Sequence, residues 1–315
     1  MASDLTIYIL CRDRIPYLRE MLSRLQVLAH PLVISDNSVD EAAAATIHSL
    51  AEAGGFGYLR QPNLPVLLHI KTLMAECPSD YFCLLHDDDV VDPAYFDAAL
   101  AILRGDLGCV AVASYPQFID GDSAPRPSPV CSTWGLDSPE ELYRRYLNHE
   151  PIAVFPSYVY RTSSVKPALS AWDDLCGFGK HSDLLFLTLL IKQGRFHWIG
   201  TENRYFRYRQ HAGQDSAKLC AGERIRLSDY ARHRWPGLRR QTAFFRAVNI
   251  CAWLEQRQSL LRFSPRVCSR ALGHRHLARL NTLLICHRIK AKIVALFRRF
   301  KYSQQPHIQG TKNFI

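Results

Sequence analysis

"YFCLLHDDDVVDPAYF", residues 81–96, runs from an apolar stretch straight into three consecutive aspartates and on towards a helix start. The first six residues have the length and apolar character of a buried strand. Asp92 is a good N-cap and Pro93 suits the first helical position, so the end of the stretch reads as the opening of a helix. Strand, acidic turn and helix in succession form the unit of an α/β sheet, in which ligands sit beyond the C-terminal ends of strands. Asp87, Asp88 and Asp89 occupy that place. Adjacent carboxylates raise one another's pKa unless a cation offsets them, and magnesium or manganese takes carboxylate oxygens together with substrate phosphates. A solvated turn is the plain alternative for such a triplet.

Outward from this stretch the same alternation repeats. "LTIYILC" (5–11), "PLVIS" (31–35), "GYLR" (57–60) and "CVAVASY" (109–115) carry the strand signal. Between them lie helical patterns, the first opened by Pro16 with Leu18, Leu22, Leu25 and Leu28 on one face. The rhythm predicts a sheet that is largely parallel in this half, with helices on both faces. "SDNSVD" (35–40) follows the second strand, where Asp36 and Asn37 are placed to hydrogen-bond a base or ribose, or else to form an Asx turn with Asp40 as N-cap. Residues 116–131 read as a closing loop. The second half is expected to hold a helix near 138–147, an extended "IAVFPSYVYRT" (152–162), an apolar helix from Asp183 and a strand pair around "FHWIG" and "RYFRYRQH".

The chain has 315 residues and is 48% hydrophobic, enough for one large domain or a domain with an appendage. Ten scattered cysteines without a CxxC pair argue for reduced, packed thiols over zinc or disulfides. No stretch reaches the roughly 18–20 apolar residues of a membrane span, and no signal pattern opens the chain, so a cytoplasmic protein is expected. Charge divides the sequence. Residues 217–315 hold 21 Lys and Arg against Glu223, Asp229 and Glu255, whereas residues 1–216 are net acidic. This predicts a body over 1–216 and a basic helical region over 217–315 that meets something anionic. Within it, residues 283–302 pattern as a basic amphipathic helix, suited to an anionic membrane surface or to docking on the body. The basic balance permits nucleic acid, but no binding motif argues for it.

The ordered set "CRDRIPYLREML", "ISDNSVD", "YFCLLHDDDVVDPAYF", "HSDLLFLTLLIKQG" and "YRQHAGQDS" resembles the family 2 glycosyltransferases of the GT-A fold, over residues 5–216. The resemblance implies a Rossmann-like mixed sheet flanked by helices, here with a basic helical C-terminal extension. It implies an inverting transfer of sugar from a nucleoside diphosphate donor, a UDP-sugar first, to a hydroxyl of a glycan or lipid-linked acceptor in surface polysaccharide biosynthesis. By the same resemblance, Asp36 and Asn37 meet the nucleotide, Asp87 and Asp89 hold Mn2+ or Mg2+, and His211 is a metal ligand or diphosphate contact. Lys71 would face the diphosphate, Asp88 would hold the turn or face the sugar, and Asp183 would be the general base. The sequence departs from the family beside Asp183, where His181 and Ser182 stand in place of an acidic pair, so His181 is a rival base.

The chemistry asks for the same groups: a cation to neutralise the departing diphosphate, and a carboxylate to take the acceptor's proton. Aspartate clusters also serve phosphohydrolases and nucleotidyltransferases, and a lipid- or nucleic-acid-binding module with a degenerate catalytic body is the non-enzymatic alternative.

Overall fold

A computed structural model describes residues 4–61, 63–148, 150–171, 182–211, 221–239 and 241–243. The four early strand signals become β1 (Leu5–Cys11), β2 (Leu32–Asp36), β3 (Gly57–Arg60) and β4 (Tyr81–His86), joined by α1 (Ile15–Leu25), α2 (Glu41–Gly54) and α3 (Val66–Glu76). After the acidic turn come the short β5 (Val90–Val91), α4 (Ala94–Gly105) and β6 (Cys109–Ser114). The second half adds β7 (Gln117–Ile119), β8 (Trp134–Leu136), α5 (Pro139–Leu147), β9 (Tyr158–Arg161), α6 (Thr162–Leu169), α7 (Ser182–Leu190), β10 (Arg195–Ile199), β11 (Phe206–Arg209) and α8 (Ala221–Arg234).

Eight strands form one mixed sheet in the order β3-β2-β1-β4-β9-β6-β10-β8. The first four are mutually parallel, as the βαβ rhythm requires. β9 then enters antiparallel between β4 and β6, so that β4, β6 and β10 all point the same way, and β8 closes the far border antiparallel to β10. Alternate side chains go to opposite faces. Leu5, Ile7 and Ile9 of β1 join one core with α1, α2 and α4, while Tyr8 and Leu10 join the other with α3, α5, α6 and α7. Burial on both faces explains why these strands read as continuous apolar runs.

Caps match the sequence signals. Asp40 accepts the Ala42 N–H at 2.9 Å, and α2 ends on Gly55 at φ 67°, a left-handed conformation that glycine adopts without cost. Asp92 accepts the Ala94 N–H at 2.9 Å and so opens α4.

Three expectations are corrected. Residues 116–131 are not wholly loop, because β7 lies within them. The strands at "FHWIG" and "RYFRYRQH" do not pair with each other: β10 lies in the main sheet, and β11 joins β5 and β7 in a second, three-stranded sheet. Of the extended 152–162 segment only β9 is strand, preceded by a 3-10 turn at Phe155–Ser157. At the start of the basic region, Leu227, Ala231 and Leu238 pack into the α3/α5/α7 core. Residues 283–302 lie outside the described residues, and among those described no helix is long and apolar enough to cross a membrane.

Candidate active site

β1 and β4 are adjacent and parallel, with Leu10 beside His86, so both chains leave the sheet at the same edge. The Asp87 N–H continues the ladder to the Leu10 carbonyl at 3.2 Å. After β1 the backbone turns through Asp13 at φ 57°, and the Asp13 N–H donates to Ser38 Oγ at 2.9 Å, which ties the loops after β1 and β2 together. The turn delivers Arg14 to the acidic triplet. Its Nη1 reaches Asp88 Oδ2 at 2.5 Å, its Nε donates to Asp87 Oδ2 at 3.3 Å, and its Nη2 pairs with Asp87 Oδ1.

From the opposite side comes β11. The Arg209 N–H donates to Asp89 Oδ1 at 3.1 Å and its Nε to the Asp88 carbonyl at 2.7 Å. Two residues further, His211 Nε2 meets Asp88 Oδ2 at 3.0 Å, with its ring 5.2 Å from that of Tyr17. Asp87, Asp88 and Asp89 are all buried, which excludes the solvated turn.

Burial sets the electrostatics. It raises the Asp87 carboxyl to about 7 against the opposing charge of Arg14. Asp89 is raised well above the usual carboxylate range by burial and by its neighbours Asp88 and Asp87. Burial also acts to raise Asp88, but His86, Arg14 and His211 outweigh it and hold that carboxyl below its ordinary value. Burial pushes the His86 imidazole down, towards the neutral form that ligates metals.

His86, Asp88 and Asp89 bring one ligand atom each within 4.8 Å of one another. Asp88 Oδ1 and Asp89 Oδ2 are buried with no hydrogen-bond partner among the described residues. Buried carboxylate oxygens left without partners are costly, and two carboxylates with one imidazole could chelate a divalent cation. The residues present therefore fit a divalent cation. Asp87, paired with Asp89 in the sequence reading, is turned to Arg14 and Arg12, while His86 stands in the cluster.

The other expected site residues stand on separate elements. Asp36 is buried at the end of β2, accepting the Ser38 N–H at 2.8 Å and the Tyr58 hydroxyl at 2.8 Å. Asn37 clamps the Leu64 backbone, its Oδ1 accepting at 2.7 Å and its Nδ2 donating at 2.8 Å. Lys71 is half-buried on α3. Asp183 lies half-buried in the first turn of α7, its Oδ1 accepting the Leu184 N–H at 2.7 Å, and burial raises its carboxyl to about 6. Its charge acts to raise the hydroxyl pKa values of Tyr143, Tyr158 and Tyr160, behind the larger effect of their burial. His181 lies outside the described residues.

His86 and Arg14 went unassigned in the sequence, although one borders the triplet and the other stands in "CRDRIPYL". Arg209 stands two residues before His211 in "YRQH", where nothing local marks its burial.

The sheet order and the strand-end acidic site define a Rossmann-like mixed α/β protein. The sequence matches no protein-family model and no curated protein. The fold is shared with TarS of S. aureus. Its 1–349 fragment in complex with UDP-GlcNAc superposes with a TM-score of 0.53 at 12% identity, covering 91% of this chain and 80% of that one. A second S. aureus TarS structure gives 0.51 at 13% identity, covering 87% of this chain and 46% of that one.

Proposed function

We propose that the chain is a divalent-cation-dependent, inverting glycosyltransferase of the GT-A type, moving a sugar from a nucleoside diphosphate, UDP first, to a hydroxyl of a glycan or lipid-linked acceptor. The observation that carries this reading is the pair of buried, unpartnered carboxylate oxygens, Asp88 Oδ1 and Asp89 Oδ2, beside His86 at a strand end. The TarS complex with UDP-GlcNAc, on the same fold, supports the choice of donor.

His86, Asp88 and Asp89 would hold Mn2+ or Mg2+, with Asp87 and His211 beside them. The cation supplies Lewis-acid neutralisation of the diphosphate as it departs. The remaining steps fall to the chain. The acceptor oxygen forms its bond to the anomeric carbon as the bond to the diphosphate oxygen breaks, and the proton passes to the Asp183 carboxylate. With its pKa raised only to about 6, that carboxylate is ionised at neutral pH and still a stronger base than a solvated aspartate. His211 and Arg14 would offer hydrogen bonds to phosphate oxygens, and Lys71 a further charge. Asp36 and Asn37, engaged with the chain itself, would shape the nucleotide pocket through the loop they fix.

In calorimetry, UDP is expected to bind only with manganese, and Asp88→Asn with Asp89→Asn to abolish binding. Unchanged binding in that variant would sink the assignment. Donor consumption without an acceptor would instead indicate hydrolysis. Peripheral placement on the cytoplasmic membrane face through residues 283–302 belongs to the same proposal; deleting residues 283–315 should remove liposome association.

A further inference from the structure

Trp134 is the first residue of the border strand β8 and is 45% exposed. A large aromatic exposed on an edge strand invites aggregation, and its position here is fixed. The Arg145 guanidinium lies 4.5 Å from the ring centroid, against one side of the indole. Arg145 itself is only 13% exposed and donates its Nε to Glu141 Oε1 at 3.0 Å. One face of the ring thus rests on an anchored cation. The neighbours Ser132, Thr133 and Gly135 are small or polar, and Thr133 Oγ1 lies 3.5 Å from the exposed Glu202 carboxylate. Among the described residues next to it in sequence, Ser132 to Gly135, Trp134 is the one large apolar side chain that is exposed.

The topology relates this ring to the sheet edge of the acidic turn. β8 is antiparallel to β10, so Trp134, paired with Trp198, stands towards the same sheet edge as the end of β4. Directly opposed residues share a face, and Trp198 donates its indole N–H to the Tyr158 hydroxyl at 2.8 Å. Counting from β8 through β10 and β6 to β9, the backbone positions of Trp134 and Tyr158 are three strand spacings apart, roughly 14 Å.

We propose that Trp134, held by Arg145, is an acceptor subsite that stacks on a pyranose ring of an oligosaccharide. The inference rests on the transferase reading and deepens it: the acceptor is a chain of several sugars whose end meets Asp183 and whose body lies on Trp134. The negative face of an aromatic ring attracts the polarised C–H groups of a pyranose. Prior fixing of the ring by Arg145 lowers the ordering cost of binding.

The test is a microarray of bacterial polysaccharide fragments, from monosaccharides to octasaccharides, probed with the full chain, Trp134→Ala and Trp134→Phe. The wild type should retain the longer fragments, Trp134→Ala should lose about tenfold or more of that retention, and Trp134→Phe should keep most of it. Failure of the wild type to retain any fragment, or equal retention by Trp134→Ala, overturns the proposal. Loss of a concentration-dependent dimer in Trp134→Ala, with glycan retention unchanged, overturns it in favour of a self-interface. Manganese-dependent UDP binding, read separately, isolates the donor half. If UDP binds and glycan retention ignores Trp134, this inference falls alone; if glycans depend on Trp134 and UDP never binds, the transferase reading falls.

Discussion

Arg209 Nε donates to the Asp88 carbonyl at 2.7 Å across 121 residues of sequence, so the second sheet grips the acidic turn from behind. The same guanidinium meets Glu20 Oε2 at 2.6 Å and Ser123 Oγ at 2.8 Å, and lies over the Tyr17 ring at 4.6 Å. Removing it would take the Nε donor from a buried carbonyl and one cation from Glu20, which keeps Ser123 and Arg24. Arg209→Ala should lower unfolding stability by about 1–3 kcal/mol in urea titration. Lysine lacks the planar fork that serves these partners together, so Arg209→Lys should recover only part of the loss.

Asp87 and His86 can be separated as metal ligands. From the cluster geometry, His86→Ala and Asp89→Asn should each weaken manganese affinity by on the order of 10- to 100-fold, while Asp87→Asn weakens it less. Manganese titration followed by thermal shift measures this. The reverse ranking would restore the Asp87–Asp89 pair expected from the sequence.

Arg14 supplies positive charge to the turn in the absence of a cation. Arg14→Ala should therefore lower Tm in chelator, and the Tm rise on adding manganese should exceed that of the wild type. An equal rise in both proteins would show that the arginine and the cation do not share the same carboxylates.

Asp183 predicts an acid limb in the rate. With its carboxyl raised to about 6 by burial, turnover should increase with pH through that value and level off above it. Asp183→Asn should remove the limb and lower kcat by roughly 10²- to 10⁴-fold. A retained limb in the variant would point to another base.

His69 gives a stability profile separate from the acidic turn. It is buried on α3 with Nε2 2.6 Å from Ser35 Oγ, and burial lowers its pKa to about 4. The folded state thus binds fewer protons than the unfolded one between about 4 and 6.5. Stability should fall as pH drops through that window, by on the order of 2–3 kcal/mol. His69→Gln should flatten this part of the profile in chemical denaturation.

The strands β1, β2, β4 and β6 and the caps at Asp40 and Asp92 were legible because each depends on neighbours within a few residues. The acidic triplet was legible as a place for chemistry, because three adjacent carboxylates at a strand end carry a cost that local structure does not relieve. β9 was harder to read: its four residues look like any extended segment, and nothing local tells that they slot antiparallel between β4 and β6. The pairing of β11 with β5 and β7 was hidden for the same reason, and with it the burial of Arg209.

By itself, then, the sequence determined the α/β rhythm, the edge at which ligands would sit and the acidic character of that edge. Periodicity, capping and charge are properties of short stretches. Which carboxylate faces Arg14 and which faces His86 was decided only in three dimensions. Residues 86 to 89 are consecutive, and their side chains separate according to groups brought in by β1, α1 and β11, far away in the chain. Long-range packing fixes those directions, and no local pattern encodes them.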